Sequence, residues 1–194
     1  MRLFVAIFPP THIRDALATA IDELKETQAD IKWVEAENIH LTVKFLGEVH
    51  EDLLPKMRVD LARIQLNAFE VHVGELGRFP PRGRPRVVWV GIQGKGDGGQ
   101  QEERTQLRDL HAAVETTLCP MGFAPDGREF QAHLTLGRVR SPRNMDVLAQ
   151  KIQGMCMKQF GVMRVESFSL MQSQLDRRGP TYVCVKQFDL GKIN

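Results

Sequence analysis

The chain has 194 residues, of which 42% are hydrophobic, and its net charge is only +2. This composition predicts a globular fold with a sizeable core, and so small a charge gives no sign by itself of a polyanionic partner. No apolar segment reaches the roughly 20 residues that a membrane span needs, and the apolar start is too short for a signal peptide. We therefore expect a cytoplasmic protein that makes no membrane contact.

The pattern of apolar residues predicts an α+β chain of about eight strands and four helices. Residues 2–8 read as a buried strand, and Pro9-Pro10-Thr11 then predicts the start of a helix that runs through about residue 29. Further strands are predicted at 31–34, 39–46, 69–76, 86–92, 130–137, 162–174 and 182–188. Further helices are predicted from about residue 52 and at 101–118 and 144–160.

A glycine-rich stretch and the three cysteines could suggest a dinucleotide site and a disulfide or zinc site, but the sequence favours neither. Residues 94–99 spell G-x-G-x-x-G between a predicted strand and a helix, but the acidic residue of a dinucleotide site is missing: Glu115 lies within the helix, and the next strand carries His133. We interpret this stretch as a flexible surface loop. The three cysteines, Cys119, Cys156 and Cys184, are widely spaced without C-x-x-C, so we interpret them as reduced packing residues.

The most informative feature is a pair of tetrapeptides, His40-Leu41-Thr42-Val43 and His133-Leu134-Thr135-Leu136. Because side chains alternate along a strand, each motif places its His and Thr on one face and its aliphatic residues on the other. The same alternation predicts that Lys44 shares the His40 face and that Phe45 and Phe130 face the core. The repeat predicts one domain of two similar lobes, related by an approximate two-fold axis, with the His strands facing each other and no clean linker.

Two imidazoles on separate strands suit in-line displacement at phosphorus, which needs a base and an acid on opposite sides. Thr42 and Thr135 could donate hydrogen bonds to phosphoryl oxygens, and nearby Arg or Lys residues could add charge. Two His without H-x-H, H-E-x-x-H or adjacent carboxylates are a poor metal site, so we expect neither metal nor cofactor. The other four His residues are interpreted as structural; these are His12, His50, His72 and His111.

Several further segments carry a family resemblance. They are Met1–Ile7, Trp33–Gly47 with the first motif, Gly77-Arg78-Phe79-Pro80, Pro85–Trp89, Phe130, the second motif with Arg138, and Gly179-Pro180-Thr181-Tyr182. With these segments the chain resembles the RNA 2′,3′-cyclic phosphodiesterases, also called 2′-5′ RNA ligases, of the two-histidine (2H) phosphoesterase superfamily. The resemblance spans nearly the whole chain. The chain departs from the family pattern at Glu129 and Gln131, around Phe130, where Pro and a basic residue are frequent in the family.

The resemblance implies a bilobal α+β fold, with an antiparallel sheet and outer helices in each lobe and an active groove between the lobes. It implies metal-free opening of an RNA 2′,3′-cyclic phosphate to a 2′-phosphate, with His40 as proton donor and His133 as proton acceptor. Arg138 matches a phosphate-binding position, although strict alternation turns it toward the core unless a bulge redirects it. Other possible RNA contacts are Lys44, Trp33, Arg78 and Arg86.

Alternatives stay open at this point. The same acid and base run backwards would join RNA ends as a 2′-5′ ligase, and a non-catalytic module that binds RNA ends would use the same residues only for contact. The Arg78 to Arg86 segment fits an RNA-backbone contact and a solvated loop equally well. We expect the chain to act as a monomer.

Overall fold

The structure is a computed structural model that describes residues 1–93, 100–175 and 180–191. The loop at 94–99, predicted to be flexible, lies outside the described residues. The described part contains four α-helices: α1 (Thr11–Lys25), α2 (Leu54–Leu61), α3 (Gln100–Leu118) and α4 (Met145–Met155). Its nine strands are β1 (Arg2–Ile7), β2 (Ile31–Trp33), β3 (Leu41–Glu48), β4 (Phe69–Phe79), β5 (Val87–Gln93), β6 (His133–Val139), β7 (Gln159–Val165), β8 (Ser167–Leu175) and β9 (Pro180–Asp189).

All nine strands belong to one sheet, in the order β7-β4-β5-β6-β3-β1-β8-β9, with β2 lying beside β6. Every pair of these strands is antiparallel. The strands that carry the two motifs, β6 and β3, are neighbours at the centre of this order. The fold is therefore the predicted bilobal α+β fold, but the two His strands lie side by side in one sheet and do not face each other.

The lobes do not coincide with the two halves of the sequence. The first lobe consists of β1, β3, β8 and β9, and the second consists of β4, β5, β6 and β7. Strand β4 comes from the first half, but residues 80–86 join it to β5, and so short a connection makes the two strands antiparallel neighbours. The final strands, β8 and β9, return to the first lobe beside β1.

One face of the sheet forms the core. Alternate residues of β1, namely Leu3, Val5 and Ile7, pack with the apolar stripes of the helices in a single hydrophobic cluster that also contains Leu41 and Leu134. Helix α1 contributes Ile13, Leu17 and Leu24, and α3 contributes Leu107, Leu110 and Val114. With the helices on this face, the opposite face of the central strands is left for the site.

The predicted boundaries of the helix at 144–160 and of the strand at 162–174 are wrong. Helix α4 ends at Met155, and two strands follow it, β7 and β8, separated by Glu166. The last two residues that β7 contributes to the main core cluster, Met163 and Val165, are at odd numbers, whereas those of β8, Phe168 and Leu170, are at even numbers. This change of phase marks the residue at which the chain leaves β4, its partner in the second lobe, for β1 in the first.

Two smaller findings concern the surface. Cys119 and Cys184 are exposed and Cys156 is half-buried, so the prediction that the cysteines pack inside is wrong for the first two. Among the described residues, no helix is long and apolar enough to cross a membrane.

Candidate active site

The two motif strands meet at the equivalent leucines of the two motifs. Leu41 pairs with Leu134, and both side chains are fully buried on the core face. In an antiparallel pair, the residues on either side are then His40 opposite Thr135 and Thr42 opposite His133. The four polar side chains form a square on the other face, with the histidines as diagonal neighbours roughly 7–8 Å apart and somewhat closer at their Cβ atoms. A local two-fold axis through the Leu pair exchanges the motifs.

A β-bulge occurs at the last residue of the motif in each strand. Against β1, Thr42 is opposite Ala6 and Lys44 is opposite Val5, so Val43 is an extra residue. Against β5, Thr135 is opposite Trp89 and Gly137 is opposite Val88, so Leu136 is an extra residue. An extra residue changes the face of the sheet toward which each later side chain points, and the change lasts until the next irregularity in the strand.

The bulges decide where the residues after the motifs lie. Arg138 is exposed and lines the groove with both histidines, so a bulge does redirect it out of the core-facing parity. Phe45 occupies the equivalent position, five residues after its His, and is 64% exposed at the same groove. The prediction that Phe45 faces the core is therefore wrong, because that prediction assumed strict alternation through Val43.

The prediction that Lys44 shares the His40 face, where it could contact RNA, is wrong for the same reason. Its side chain is buried, and Nζ donates to Glu115 Oε1 at 2.6 Å and to the Ala124 carbonyl at 3.0 Å. Asp126 Oδ1 lies 3.4 Å from the same ammonium. Lys44 thus ties β3 to helix α3 and to the loop before β6, on the core side of the sheet.

The same cluster contains the described His and carboxylate side chains that come close enough to share a metal ion, His111, Glu115 and Asp126. Burial opposes ionisation of Glu115, but hydrogen bonds from Lys44 and from the Asp126 amide outweigh it and hold the pKa of Glu115 below its usual value. The Lys44 ammonium already supplies a cation to the two carboxylates. None of these residues lines the groove that holds the motifs.

A groove of about 620 Å³ contains the polar face of the central strands. It brings together most of the predicted site residues, namely His40, Thr42, His133, Thr135, Arg138 and Trp33. Arg2, Lys32 and Phe45 also line it, and sequence reasoning did not find them as site residues. Arg78 and Arg86 do not line this groove; the Arg78 guanidinium donates to the Gly83 carbonyl at 3.0 Å.

Both imidazoles are oriented in the same way by the backbone just before them. His40 Nδ1 donates to the Asn38 carbonyl at 2.8 Å, and His133 Nδ1 donates to the Gln131 carbonyl at 2.7 Å. A carbonyl oxygen only accepts, so Nδ1 carries a proton in both rings, and the neutral ring keeps its lone pair on Nε2. Each Nε2 can therefore accept a proton when the ring is neutral and donate one when it is charged.

Aromatic rings surround both histidines. The His40 ring centroid lies 4.9 Å from that of Phe4, 5.5 Å from Phe8 and 5.0 Å from Tyr182. The His133 centroid lies 5.2 Å from Phe79 and 6.4 Å from Trp89. The sequence held one signal of this wall: the apolar run of β1 has hydrophobic residues at even as well as odd positions, so its second face had to pack on something.

The surroundings disfavour the charged form of both imidazoles. Burial is the main cause that lowers the pKa of His40; the Asn38 hydrogen bond acts in the opposite direction, and the charges of Arg138 and His133 lower the pKa further. Burial and then Arg138 lower the pKa of His133, against the Gln131 hydrogen bond. Burial also raises the pKa of the Tyr182 hydroxyl, so this group stays neutral beside His40. An anion bound between the rings would reverse this bias by favouring imidazolium.

A curled antiparallel sheet with a His-x-Thr motif on each of its two central strands is the arrangement of a two-motif phosphoesterase. The family model described as LigT-like phosphoesterase matches this chain at residues 7–89 and 99–182, one motif in each segment. The chain belongs to the LigT-like phosphoesterase family.

Individual proteins show the same relationship. A protein of Aeropyrum pernix named RNA 2′,3′-cyclic phosphodiesterase is 39% identical over 166 residues, which cover 86% of this chain and 90% of that protein. A protein of the same name from Methanothermobacter thermautotrophicus is 35% identical over 98% of this chain and 99% of its own length. The crystal structure of E. coli LigT complexed with 3′-AMP superposes with a TM-score of 0.74 at 26% identity, covering 97% of each chain.

Proposed function

We propose that this phosphoesterase opens the 2′,3′-cyclic phosphate end of RNA to a 2′-phosphate, without metal, with His40 as proton donor and His133 as proton acceptor. The observation that carries the proposal is the pair of equivalent Nε2 atoms on one groove, each of which carries the lone pair of the neutral ring because Nδ1 donates to a backbone carbonyl. The relatives named for this activity cover nearly the whole chain, and E. coli LigT, which binds 3′-AMP, has the same fold.

In this proposal a water molecule loses a proton to His133 Nε2 and attacks phosphorus. The P–O3′ bond breaks on the opposite side, and His40 Nε2 gives its proton to the departing O3′. The lowered pKa of His133 keeps the base neutral near pH 7. The lowered pKa of His40 makes it a stronger acid, and the negative phosphodiester supplies the attraction that charges this ring when the substrate binds. The assignment of donor and acceptor follows the family resemblance.

The remaining polar groups of the square hold the phosphoryl oxygens. Thr42 and Thr135 lie beside the histidines, where their hydroxyls can donate to the two non-bridging oxygens. Arg138 brings a guanidinium to the same groove, and its planar donors suit a bidentate contact with phosphate. These three residues stabilise the negative charge on the phosphoryl oxygens, which is why the proposal needs no metal for that role.

The nucleoside next to the phosphate lies against aromatic rings. Phe45 is a large, exposed apolar side chain that lines the groove at the position equivalent by symmetry to Arg138. Trp33 lines the same groove, and its ring packs on Gly137 so closely that a Cβ there would lie 2.8 Å from it. A terminal base stacked on Phe45 or Trp33 would place the ribose phosphate over the square.

Arg78 and Arg86 are proposed to contact the RNA backbone outside the groove. Their segment also holds two exposed arginines, Arg82 and Arg84, and it contains Phe79, whose ring contacts His133. A flexible phosphate chain passing this side of the site would meet several cations.

The direct experiment treats an oligoribonucleotide that ends in a 2′,3′-cyclic phosphate with the protein in EDTA and identifies the product end. We expect a 2′-phosphate, and loss of turnover by at least about 10³-fold in His40→Gln and His133→Gln. His50→Gln is the matched control, since His50 is exposed and forms a surface ion pair with Asp52, away from the groove.

Each other outcome has a distinct meaning. A 3′-phosphate product would exclude the proposed bond cleavage, and a requirement for added metal would exclude the proposed mechanism. Tight binding of the RNA end without any turnover would show the alternative function, a non-catalytic module that binds RNA ends.

A further inference from the structure

The carbonyl groups that orient the two motif histidines are supported in different ways. The carbonyl that accepts from His40 belongs to Asn38, which lies in a short 3-10 helix where backbone hydrogen bonds fix its position. The carbonyl that accepts from His133 belongs to Gln131, which lies in the segment 123–132, and this segment forms neither a helix nor a strand. Side chains must therefore supply the contacts that hold the second carbonyl in place.

Helix α3 supplies these contacts from one of its faces. Arg108, His111 and Glu115 are spaced by three and four residues, so their side chains lie in a row along the helix. The row borders the apolar stripe with which α3 packs in the core. Each of the three side chains contacts a residue of the segment 123–132.

The contact made by His111 is the one nearest to the second motif. Its ring lies flat on the ring of Phe130, with centroids 4.4 Å apart and an angle of 17° between the two planes. His111 is buried, so the stack is shielded from water. Because Phe130 immediately precedes Gln131, a fixed Phe130 ring restrains the stretch of backbone that carries the Gln131 carbonyl.

The other two side chains of the row hold the segment further from Gln131. Glu115 Oε1 accepts from the Asp126 N–H at 2.6 Å, and the charge of the carboxylate strengthens this hydrogen bond. Arg108 donates to Glu129 at 2.5 Å, but both side chains are exposed, so water and salt screen the pair. Among the three contacts, only the ring stack acts on a residue directly bonded to Gln131.

Hydrogen bonding does not account for the choice of an imidazole at position 111. His111 Nε2 is buried and makes no hydrogen bond within the described part of the chain; Asp126 Oδ2 lies 3.5 Å away. An unpaired buried polar atom is costly, so a side chain that only filled space would be apolar. The flat face of the ring, which Phe130 covers, is the property that the structure uses.

We propose that His111 is a positioning residue for the proton acceptor: by stacking on Phe130 it fixes the Gln131 carbonyl, and this carbonyl fixes the tautomer and orientation of the His133 ring. The inference rests on the proposed function, in which His133 Nε2 takes the proton from water. A ring that loses its Nδ1 hydrogen bond can turn or carry its proton on Nε2, and in either case it no longer accepts at the right place. His40 lies outside this chain of contacts and should not respond.

The test compares His111→Ala with His111→Phe, which keeps a flat ring at the same position. NMR of the ring nitrogens at about pH 8, where both motif imidazoles are neutral, measures their tautomers without substrate. The wild-type protein and His111→Phe should carry the proton on Nδ1 in both rings, whereas His111→Ala should show a mixture of tautomers in His133 alone. Because the hydrogen bond to Gln131 raises the pKa of His133, its loss should also lower that pKa.

Turnover of a cyclic phosphate end gives a second measurement. In His111→Ala, kcat should fall about tenfold while KM stays nearly constant, because the base is misplaced and the groove that binds the substrate is intact. Phe130→Ala removes the same stack from the other side and should have the same effect. The double variant should lose no more activity than either single variant, since the two changes break one contact.

Val114→Ala is the matched control, because it shortens a fully buried side chain on the apolar stripe of the same helix. It should lower the unfolding midpoint and leave the His133 tautomer and kcat unchanged. The inference is refuted by an equal effect of Val114→Ala and His111→Ala on His133, by the same mixture of tautomers in His40, or by a single tautomer in His111→Ala. It is also refuted if His111→Phe is as impaired as His111→Ala. Absence of 2′-phosphate from the wild-type protein would instead refute the proposed function, and the tautomer measurements would not change.

Discussion

Arg138 and Phe45 occupy equivalent positions in the two half-sites, yet only one of them is charged. Both lie five residues after the motif His and beyond the bulge, at the edge of the groove. Arg138 lowers the pKa of His40 and of His133 through its charge, after the larger effect of burial. This single guanidinium therefore acts on both imidazoles as well as on any bound anion.

Arg138→Ala should lower kcat/KM by about 100-fold, the usual effect of losing one donor to a developing oxyanion. The same change should raise the pKa of both His40 and His133, because a positive charge is removed. NMR titration of the ring protons measures this shift. Arg138→Lys keeps the charge, so it should restore the titration but only part of the rate, since an ammonium lacks the planar donor pair. Unchanged titration in Arg138→Ala would show that the guanidinium is not close to the rings.

The pH profile follows from the two lowered pKa values. Activity of the free protein needs one imidazole charged and the other neutral, which gives a bell-shaped profile of kcat/KM. Because burial lowers both pKa values, the maximum should lie on the acid side of the ordinary histidine pKa, near 6.5. Initial rates at low substrate concentration across about pH 4 to 9 test this. A maximum on the alkaline side, or a plateau without two limbs, would contradict the proposed acid and base.

At the scale of secondary-structure elements, Lys44 joins strand β3 to helix α3 and to the loop that leads to His133. Lys44→Met should lower the free energy of unfolding by about 3 kcal/mol, because it leaves Glu115 partly buried without its cation. Denaturant titration measures the change. Adding Glu115→Gln should recover most of it, since the amide oxygen can still accept from the Asp126 N–H.

The matched control for this prediction is Lys56→Met. Lys56 and Asp60 also form an ion pair between a lysine and a carboxylate. This pair lies at the surface of α2, where salt and water screen it. The control should leave the unfolding midpoint nearly unchanged. If Lys44→Met is as stable as the control, the buried ion pair does not hold the elements together.

The order of strands and helices could be predicted from the sequence because apolar periodicity is repeated over many residues. The His and Thr positions could be predicted because the motif occurs twice. The side of the sheet on which Lys44, Phe45 and Arg138 lie could not be predicted, since it depends on one bulged residue in each strand. A bulge flanked by apolar residues does not change the apolar pattern of the sequence. The break between β7 and β8 did leave a mark, a change in apolar phase at Glu166, that prediction of a single strand overlooked.

A depression of about 400 Å³ that His133 also lines illustrates a different limit of sequence reasoning. Its walls come from four separate elements, and Trp89 and Phe130 are 41 positions apart in the chain. No periodicity links such residues. Only the pairing of β5 with β6, which sets Trp89 opposite Thr135 and Gly91 opposite His133, brings them to one place.

At the scale of the whole molecule, the strands of both lobes share one hydrophobic cluster, from Leu3 and Leu41 to Val90 and Leu136. We propose that the chain is a single domain and expect it to unfold in one cooperative transition. Trp33 and Trp89 both lie on strands beside β6, so their fluorescence reports on the second lobe, whereas far-UV circular dichroism reports on both lobes. The two signals should give the same midpoint. Two separated transitions would show that the lobes fold independently.

Stability should also depend on pH through the two site histidines. Their pKa values are lower in the folded protein than in the unfolded chain, so the unfolded chain binds more protons as the pH falls. The stability present at neutral pH should therefore begin to decrease below about 6.5 and go on decreasing until the folded-state pKa values are passed. The free energy of unfolding should fall less between pH 7.5 and pH 5 in the His40→Gln/His133→Gln variant than in the wild-type protein. An equal decrease in both proteins would place the titrating groups elsewhere.

The central Leu41 and Leu134 pair has a consequence for direction. A site with perfect two-fold symmetry would accept a nucleotide in two orientations, and each imidazole would then serve as acid in half of the turnovers. In the proposed function, Phe45 on one side and Arg138 on the other would remove this ambiguity, because a base prefers the ring and a phosphate prefers the guanidinium. The repeated motif supplies two equivalent imidazoles. In the proposed function, the different residues five positions after them determine which imidazole acts as the acid.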